Sequence, residues 1–103
     1  MKFSLLIYCL LLISSQEFGQ YQNVMINNPS STDPEEVSIA IDPSNPNFLA
    51  AGANITYAYR STNGGLNWSQ QDLSSSLGVW GDPCLVYDGS GNLYYGHLSI
   101  ASY

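Results

Sequence analysis

The stretch RSTNGGLNWS, Arg60 to Ser69, separates two runs in which apolar and polar residues alternate, and it decides the fold. A tight connection between antiparallel strands needs residues at positive φ, which Gly64 and Gly65 supply. The short polar side chain of Asn63 can accept hydrogen bonds from backbone N–H groups of its own turn. Trp68 is expected to pack beneath this turn. We therefore predict a hairpin turn that the tryptophan fixes to the sheet.

On both sides of this turn the sequence has a period of two, which is typical of β-strands. Ile39 and Ile41 alternate with small residues, and the cluster that contains Pro43 and Pro46 excludes a helix there. Six strand-like runs result: EVSIAI, FLAAGAN, TYAYRS, NWSQQD, PCLVYD and LYYGHLS. The first four are expected to form one antiparallel meander, and the last two are expected to form a hairpin that starts a second sheet. The predicted fold class is all-β.

The second half of the chain repeats the first at an offset of about 45 residues, which is the period of a four-stranded propeller blade. The matched positions are Ile39 with Leu85, Ile41 with Tyr87, Asp42 with Asp88, Asn47 with Asn92, Phe48 with Leu93, and Gly52 with Gly96. Four short strands fill one period. The repeat predicts a β-propeller of four-stranded antiparallel blades, with about one and a half blades in this chain.

The stretch STNGGLNW resembles the Asp-box, Ser-x-Asp-x-Gly-x-Thr-Trp, of the sialidase-like β-propellers, which are also called BNR repeats. Ser61, Gly65 and Trp68 fall on motif positions, whereas Asn63 and Asn67 replace the Asp and the Thr. PEEVSIAIDPSNPNFLAAGAN and GDPCLVYDGSGNLYYGHLS look like the first two blade openings of secreted bacterial members. The resemblance implies about six to eight blades, an N-terminal fragment, and a structural box. An ordinary Asn-Gly hairpin beside a core tryptophan is the alternative.

The chain divides into four expected segments. Residues 1–19 carry Lys2 and then an apolar run too short to cross a bilayer, which is the layout of a secretory signal peptide. A buried N-terminal helix is the alternative for this segment. Residues 20–34 are a polar, extended lead-in, residues 35–72 are the first blade with its Asp-box, and residues 73–103 are a linker and the first half of a second blade. The protein is therefore expected to be secreted, in the medium or at the cell surface.

Charge and cysteine content exclude several classes of partner. After the leader, one base, Arg60, faces seven acids, which disfavours nucleic acid and anionic membranes. Cations, neutral glycans and extracellular proteins remain. Cys84 is the one cysteine outside the leader, so neither an intramolecular disulfide nor a cysteine metal cluster can form. We expect Cys84 to act as a small apolar residue in a strand.

The repeat also suggests a ligand site. Glu36 and Asp82 are 46 residues apart, and each precedes an innermost strand, so both are expected at one mouth of the central channel. Two such carboxylates could share a cation, and hard oxygen ligands favour calcium. Asn54 is expected on the same side, where it could add a carbonyl oxygen, and Trp80 could stack on a sugar ring. The alternatives are solvated strand-entry acids, and a tryptophan that packs in the core or between blades.

The family resemblance also bears on activity. Sialidases grip a carboxylate with an arginine triad whose first member lies on an early inner strand, but here that strand, EVSIAI, has no arginine. Arg60 precedes the Asp-box, on the side opposite to the expected ligand face. We therefore expect a surface propeller that binds glycans or proteins. The alternatives are an exo-α-sialidase-like glycoside hydrolase whose catalytic residues come mostly from later blades, and a scaffold domain.

Overall fold

The computed structural model describes residues 22–30 and 34–100, and in these ranges the chain forms two antiparallel sheets and no helix. The strands are β1 (Ser38–Ile41), β2 (Leu49–Ala53), β3 (Tyr57–Ser61), β4 (Ser69–Asp72), β5 (Cys84–Tyr87) and β6 (Leu93–Gly96). The predicted all-β class is confirmed. The expected signal peptide, residues 1–19, lies outside the described residues. Within the described part, no helix is long and apolar enough to span a bilayer.

The first sheet is a meander in the order β1-β2-β3-β4, as predicted. Its register is continuous across all four strands: Ser38 lies opposite Gly52, which lies opposite Ala58, and Ala58 in turn lies opposite Gln71. Neighbouring strands are consecutive in sequence, so each connection is a short turn at one end of the sheet. The turns β1–β2 and β3–β4 therefore share one end, and the turn β2–β3 lies at the other.

The second sheet is the predicted separate hairpin, β5 with β6, in which Cys84 lies opposite Gly96 and Tyr87 lies opposite Leu93. Beyond the strands, the chain before β5 continues beside the chain after β6. The Trp80 N–H donates to Leu98 O at 2.8 Å, and the Leu98 N–H donates to Gly81 O at 3.0 Å. These bonds hold the connection between the two sheets against the second hairpin.

The register corrects part of the repeat alignment. Leu49, not Phe48, is the equivalent of Leu93, because each is the first residue of the second strand in its hairpin. Likewise Phe48, not Asn47, corresponds to Asn92, since each carbonyl accepts the N–H of the aspartate that opens the turn. The first hairpin loop is two residues longer than the second. The offset therefore changes from 46 before the loop to 44 after it.

The second hairpin packs on a face of the first sheet that is built from small residues. We call this the small-residue face: Ser38, Ala40, Ala50, Gly52 and Ala58. Leu85 is 8% exposed, and its N–H donates to Ser38 Oγ at 3.2 Å. Tyr95 covers Gly52, because a Cβ there would lie 2.8 Å from Tyr95 Cε2. The bulky side chains of one sheet thus fill the space that the small residues of the other leave.

The opposite face of the first sheet carries the other core. Ala51, Ala53 and Tyr59 are buried there, and Ile26 packs against them from the lead-in. Asn28 of the same segment donates its backbone N–H to the Gln70 side chain at 2.6 Å. The remaining part of this face is the β1 stripe, defined as three exposed apolar residues: Val37, Ile39 and Ile41.

Candidate functional site

The turn between β3 and β4 is organised around the hydroxyl of Ser61, which is buried at the end of β3. Ser61 Oγ donates to Asn63 Oδ1 at 3.0 Å and accepts the Gly65 N–H at 2.9 Å. Asn63 Oδ1 also accepts the Asn67 N–H at 2.9 Å. One side-chain oxygen therefore performs the acceptor role for which either Asn or Asp suffices. Every one of these bonds is internal to the turn, so these side chains stabilise the turn itself.

Two further contacts attach this turn to the sheet. Trp68 is partly buried against the core of the first sheet, and its Nε1 donates to Gly65 O at 2.9 Å. The Gly64 N–H donates to Asn47 O, in the neighbouring β1–β2 loop, at 3.0 Å. Gly64 and Gly65 have φ of 70° and 87°, the left-handed values that glycine tolerates best. The turn is therefore held by its own side chains, by the sheet and by the adjacent loop.

At the other end of the sheet, Asn54 joins the two predicted carboxylate residues. Its Nδ2 donates to Glu36 Oε2 in a short contact, and its Oδ1 accepts the Asp82 backbone N–H at 2.7 Å. The Asn54 backbone N–H also donates to Glu35 O at 2.9 Å. Glu36, Asn54 and Asp82 thus meet on one side, and Arg60 lies at the opposite end, beside Ser61.

The backbone at this site is unusual at both carboxylates. Glu36 and Asp82 have φ of 51° and 49°, in the left-handed region that side chains with a Cβ adopt at a cost. Between Trp80 and Asp82, Gly81 has φ of 90°, and a Cβ at this residue would collide with the Asn54 side chain. Asn54 can therefore reach Asp82 only because residue 81 is a glycine.

The residues present do not build a calcium site on their own. Calcium prefers about six to eight oxygen ligands, whereas the site offers two carboxylates. Asn54 Oδ1 already accepts the Asp82 backbone N–H, and Asn54 Nδ2 donates to one oxygen of the Glu36 carboxylate. The described residues contain no group of three or more His, Cys, Asp or Glu side chains that could hold a metal. Glu36 and Asp82 therefore act here as residues just before β1 and β5 that Asn54 connects.

Trp80 is an exposed member of the predicted site residues. The residue is 58% exposed, just before Asp82 in the chain, so it does not lie in the core of the described residues. The backbone bond from its N–H to Leu98 fixes the residue although the ring is open. A flat, exposed indole beside hydrogen-bonding polar groups is a surface on which a sugar ring or an aromatic side chain can stack.

The turns of the two hairpins form a second pair of equivalents, which the sequence offset matched but to which no role was assigned. Asp42 Oδ1 accepts the Ser44 N–H at 2.8 Å, and Asp88 Oδ1 accepts the Ser90 N–H at 2.8 Å. The Ser44 hydroxyl, followed by backbone N–H groups, holds the pKa of Asp42 below its ordinary value, although burial and the charge of Asp88 oppose this. The Asn92 side chain, ahead of its backbone N–H, lowers the pKa of Asp88 in the same way. Both turns are thus built on an ionised aspartate.

A cleft of about 750 Å³ lies between the two sheets, on the side of β3 and β4. Its walls include Phe48, Ala58, Arg60, Gln71, Tyr87 and Tyr95. The guanidinium carbon of Arg60 lies 5.8 Å from the centre of the Phe48 ring, within reach of a cation–π contact. The hairpin β5–β6 covers β1 and β2 and leaves this part of the first sheet open.

The structure separates the predicted site residues by role. Ser61, Asn63, Gly65 and Trp68 build one turn, and Trp80, Asp82, Glu36 and Asn54 lie together at the other end of the sheets. Sequence reasoning missed Gly81, whose spacing from Asn54 along the chain gives no signal of their contact. Comparisons with family profiles, with curated proteins and with solved structures return no match.

Proposed function

We propose that this chain supplies the first blade and the opening hairpin of the second blade of a secreted, Asp-box-type β-propeller similar to the sialidases. In this proposal the propeller binds extracellular glycans or proteins on its surface. The observation that carries the proposal is the repetition of backbone detail at one offset. Glu36 and Asp82 share their φ, and the aspartate turns share their hydrogen bonds. In a repeat protein, equivalent units stack in the same way, so their backbone conformations and turn hydrogen bonds are expected to recur.

The way the two sheets pack supports the same proposal. Leu85 is the equivalent of Ile39, yet Leu85 is 8% exposed and Ile39 is 61% exposed. Leu85 packs on the small-residue face of the first sheet, whereas the β1 stripe, which contains Ile39, meets no other sheet among the described residues. Contacts of this kind join unlike faces, so they extend by repetition and finish only when the array closes on itself. A ring of blades is such a closed array.

The cleft between the sheets supports the proposal in a second way. The first sheet has four strands and the second has two, and the open part of the cleft lies over β3 and β4. Two further strands, added beyond β6, would lie over β3 and β4 in the same way that β5 and β6 lie over β1 and β2. In a four-stranded second blade the cleft is therefore filled by protein.

Glycan or protein binding fits the candidate site better than hydrolysis does. Arg60 is the only arginine in the sequence, and it lies at the Asp-box end, away from Glu36 and Asp82. Both of these carboxylate residues are tied to Asn54, one through its side chain and one through its backbone. The Trp80 ring and the Asp82 carboxylate are both exposed at this end, and the flat ring suits stacking on a sugar or on an aromatic side chain. A sialidase-like hydrolase is the alternative, with its catalytic groups supplied by other blades.

The architecture is tested on the protein encoded by the complete gene, by electron microscopy or crystallography. A closed ring in which residues 35–72 form one blade supports the proposal. An open stack, or a β-sandwich in which β5 and β6 join the first sheet, would contradict it.

The activity is tested on the same protein with an array of glycans and with a fluorogenic sialoside. Binding without turnover, abolished by Trp80→Ala, is the expected result. Trp68→Phe, in the Asp-box, is the matched control and should leave binding unchanged. Turnover of the sialoside would support the hydrolase instead, and binding that survives Trp80→Ala would remove Trp80 from the site.

A further inference from the structure

We propose that Asn63 and Gly64 form a deamidation site that the folded Asp-box turn holds closed. The sequence contains a single Asn-Gly pair, and it lies in this turn. Asn63 is exposed to solvent, so water can reach its side chain. The proposal concerns the chemistry of this turn alone, and it holds whether or not the chain belongs to a propeller.

The reaction is an intramolecular acyl transfer. The backbone nitrogen of Gly64 loses its proton and attacks Cγ of Asn63, so a N–Cγ bond forms, the Cγ–Nδ2 bond breaks, and ammonia leaves. The product is a cyclic succinimide, and water then opens either of its two carbonyl groups to give aspartate or isoaspartate. Glycine favours the first step because it has no Cβ to obstruct the approach of its nitrogen.

The folded turn restrains both reacting atoms. The Gly64 N–H, whose proton must leave, donates to Asn47 O at 3.0 Å. The Asn63 side chain is held through Oδ1 by the Ser61 hydroxyl at 3.0 Å and by the Asn67 N–H at 2.9 Å. Rotation of the carboxamide toward the Gly64 nitrogen would break the last two bonds together. The reaction therefore requires local opening of the turn.

The two products have opposite consequences for the turn. Aspartate keeps a side-chain oxygen at the same place, where it can accept from Ser61 and Asn67 in charge-assisted bonds. Isoaspartate instead adds a methylene to the backbone before Gly64, which moves the Gly64 N–H away from its acceptor on Asn47. Conversion to aspartate is tolerated, and conversion to isoaspartate dismantles the contact between the two loops.

The test compares the deamidation rate at Asn63 in the native chain and in the same chain in urea, at mildly alkaline pH. Trypsin cleavage after Arg60 releases a peptide that begins with Ser61, and mass spectrometry then measures its deamidated fraction. Because reaction through a locally opened state slows by the opening equilibrium, the native rate should be at least about tenfold lower than the rate in urea. Ser61→Ala should raise the native rate toward the rate in urea.

The matched control is Ser90→Ala, a serine in the turn of the second hairpin that contributes its backbone N–H to Asp88. This variant should deamidate at the native wild-type rate. Equal rates for wild type in buffer and in urea would overturn the proposal, as would the absence of deamidation at Asn63 in urea. Should Ser61→Ala fail to fold, the wild-type comparison still decides.

Discussion

Glu36 and Asp82 adopt the same left-handed backbone conformation, with φ of 51° and 49°, although they are 46 residues apart in the chain. Each residue lies two positions before the first strand of its sheet, and Asn54 binds both. A left-handed conformation costs a non-glycine residue about 1–2 kcal/mol. The same strain at two equivalent positions indicates that the contacts of each sheet impose this backbone conformation, because the local chain alone would not favour it.

This strain can be measured at Asp82. Asn54 accepts the backbone N–H of Asp82, so a change of the Asp82 side chain leaves that bond intact. Asp82→Gly relieves the strain and Asp82→Ala keeps it, so the glycine variant should be more stable than the alanine variant by about 1 kcal/mol in urea unfolding. An alanine variant as stable as the glycine variant would mean that residue 82 is not held at positive φ.

Removal of the Asn54 side chain should loosen both strand entries. Asn54→Ala leaves the Asp82 N–H without its acceptor and should lower the free energy of unfolding by about 1–3 kcal/mol. Asn23→Ala, at an exposed position of the lead-in, is the matched control and should change stability by less than about 0.5 kcal/mol. Similar losses in the two variants would show that Asn54 does not connect the sheets.

The two tryptophans should respond in opposite ways to truncation. Trp68 packs against the core and bonds to Gly65 O, so Trp68→Ala should cost about 3 kcal/mol of stability. Trp80 is exposed, so Trp80→Ala should change stability by less than about 0.5 kcal/mol. Thermal or urea unfolding of both variants measures the difference. If Trp68→Ala proves no more costly than Trp80→Ala, the turn between β3 and β4 does not contribute to the core.

The sequence was sufficient for the class of fold, the two sheets and the hairpin turn between β3 and β4, because each depends on local patterns. Period-two alternation defines the strands, and the glycine pair at residues 64 and 65 defines the turn. The bounds were predicted less well: the run LYYGHLS extends to Ser99, whereas β6 ends at Gly96. Local periodicity does not reveal where pairing between strands stops.

The site was only partly predictable because its decisive contacts are long-range. The offset of 46 residues placed Glu36 and Asp82 on one side. It did not show that the Asn54 amide binds both, or that Gly81 makes room for that amide. The calcium hypothesis stays a prediction, because it counted carboxylates, whereas the contacts of the structure join Asn54 to the Glu36 carboxylate and to the Asp82 backbone N–H. The role of Glu36 and Asp82 therefore depends on which residues lie next to them in the fold, and residue type alone does not reveal those neighbours.

The close packing of the two sheets can be tested at Gly52. A Cβ at Gly52 would meet the Tyr95 ring, whose hydroxyl donates to Tyr57 O at 3.2 Å and so cannot move freely. Gly52→Ala should therefore cost about 1–3 kcal/mol through overpacking. Gly89→Ala is the matched control, because a Cβ at Gly89 meets no atom within 4 Å. Equal stability of the two variants would mean that Tyr95 does not pack on the first sheet.

The aspartate turns predict a loss of stability in acid. The folded-state pKa of Asp42 and of Asp88 is lowered, so each carboxylate contributes stability above its unfolded pKa of about 4, and this contribution is lost as pH falls through the folded value. The free energy of unfolding should therefore decrease between about pH 4 and lower pH. Asp42→Asn and Asp88→Asn should each flatten this decrease, and the double variant should flatten it most. An unchanged slope in the double variant would assign acid sensitivity to other groups.

The packing of unlike faces also makes the two outer surfaces of the isolated chain different from each other. One of its outer surfaces is the β1 stripe, and the other is the back of the second hairpin, where Val86 and Tyr94 are exposed. The β1 stripe is the counterpart of the Leu85 face, which the second hairpin buries against the first sheet. The exposed back of the second hairpin is the counterpart of the small-residue face. Two such molecules therefore have no symmetric way to hide both surfaces, since each end prefers the other kind. Polymerisation from head to tail is the form of aggregation that this geometry favours, and assemblies joined in that way stop growing only when they close into a ring.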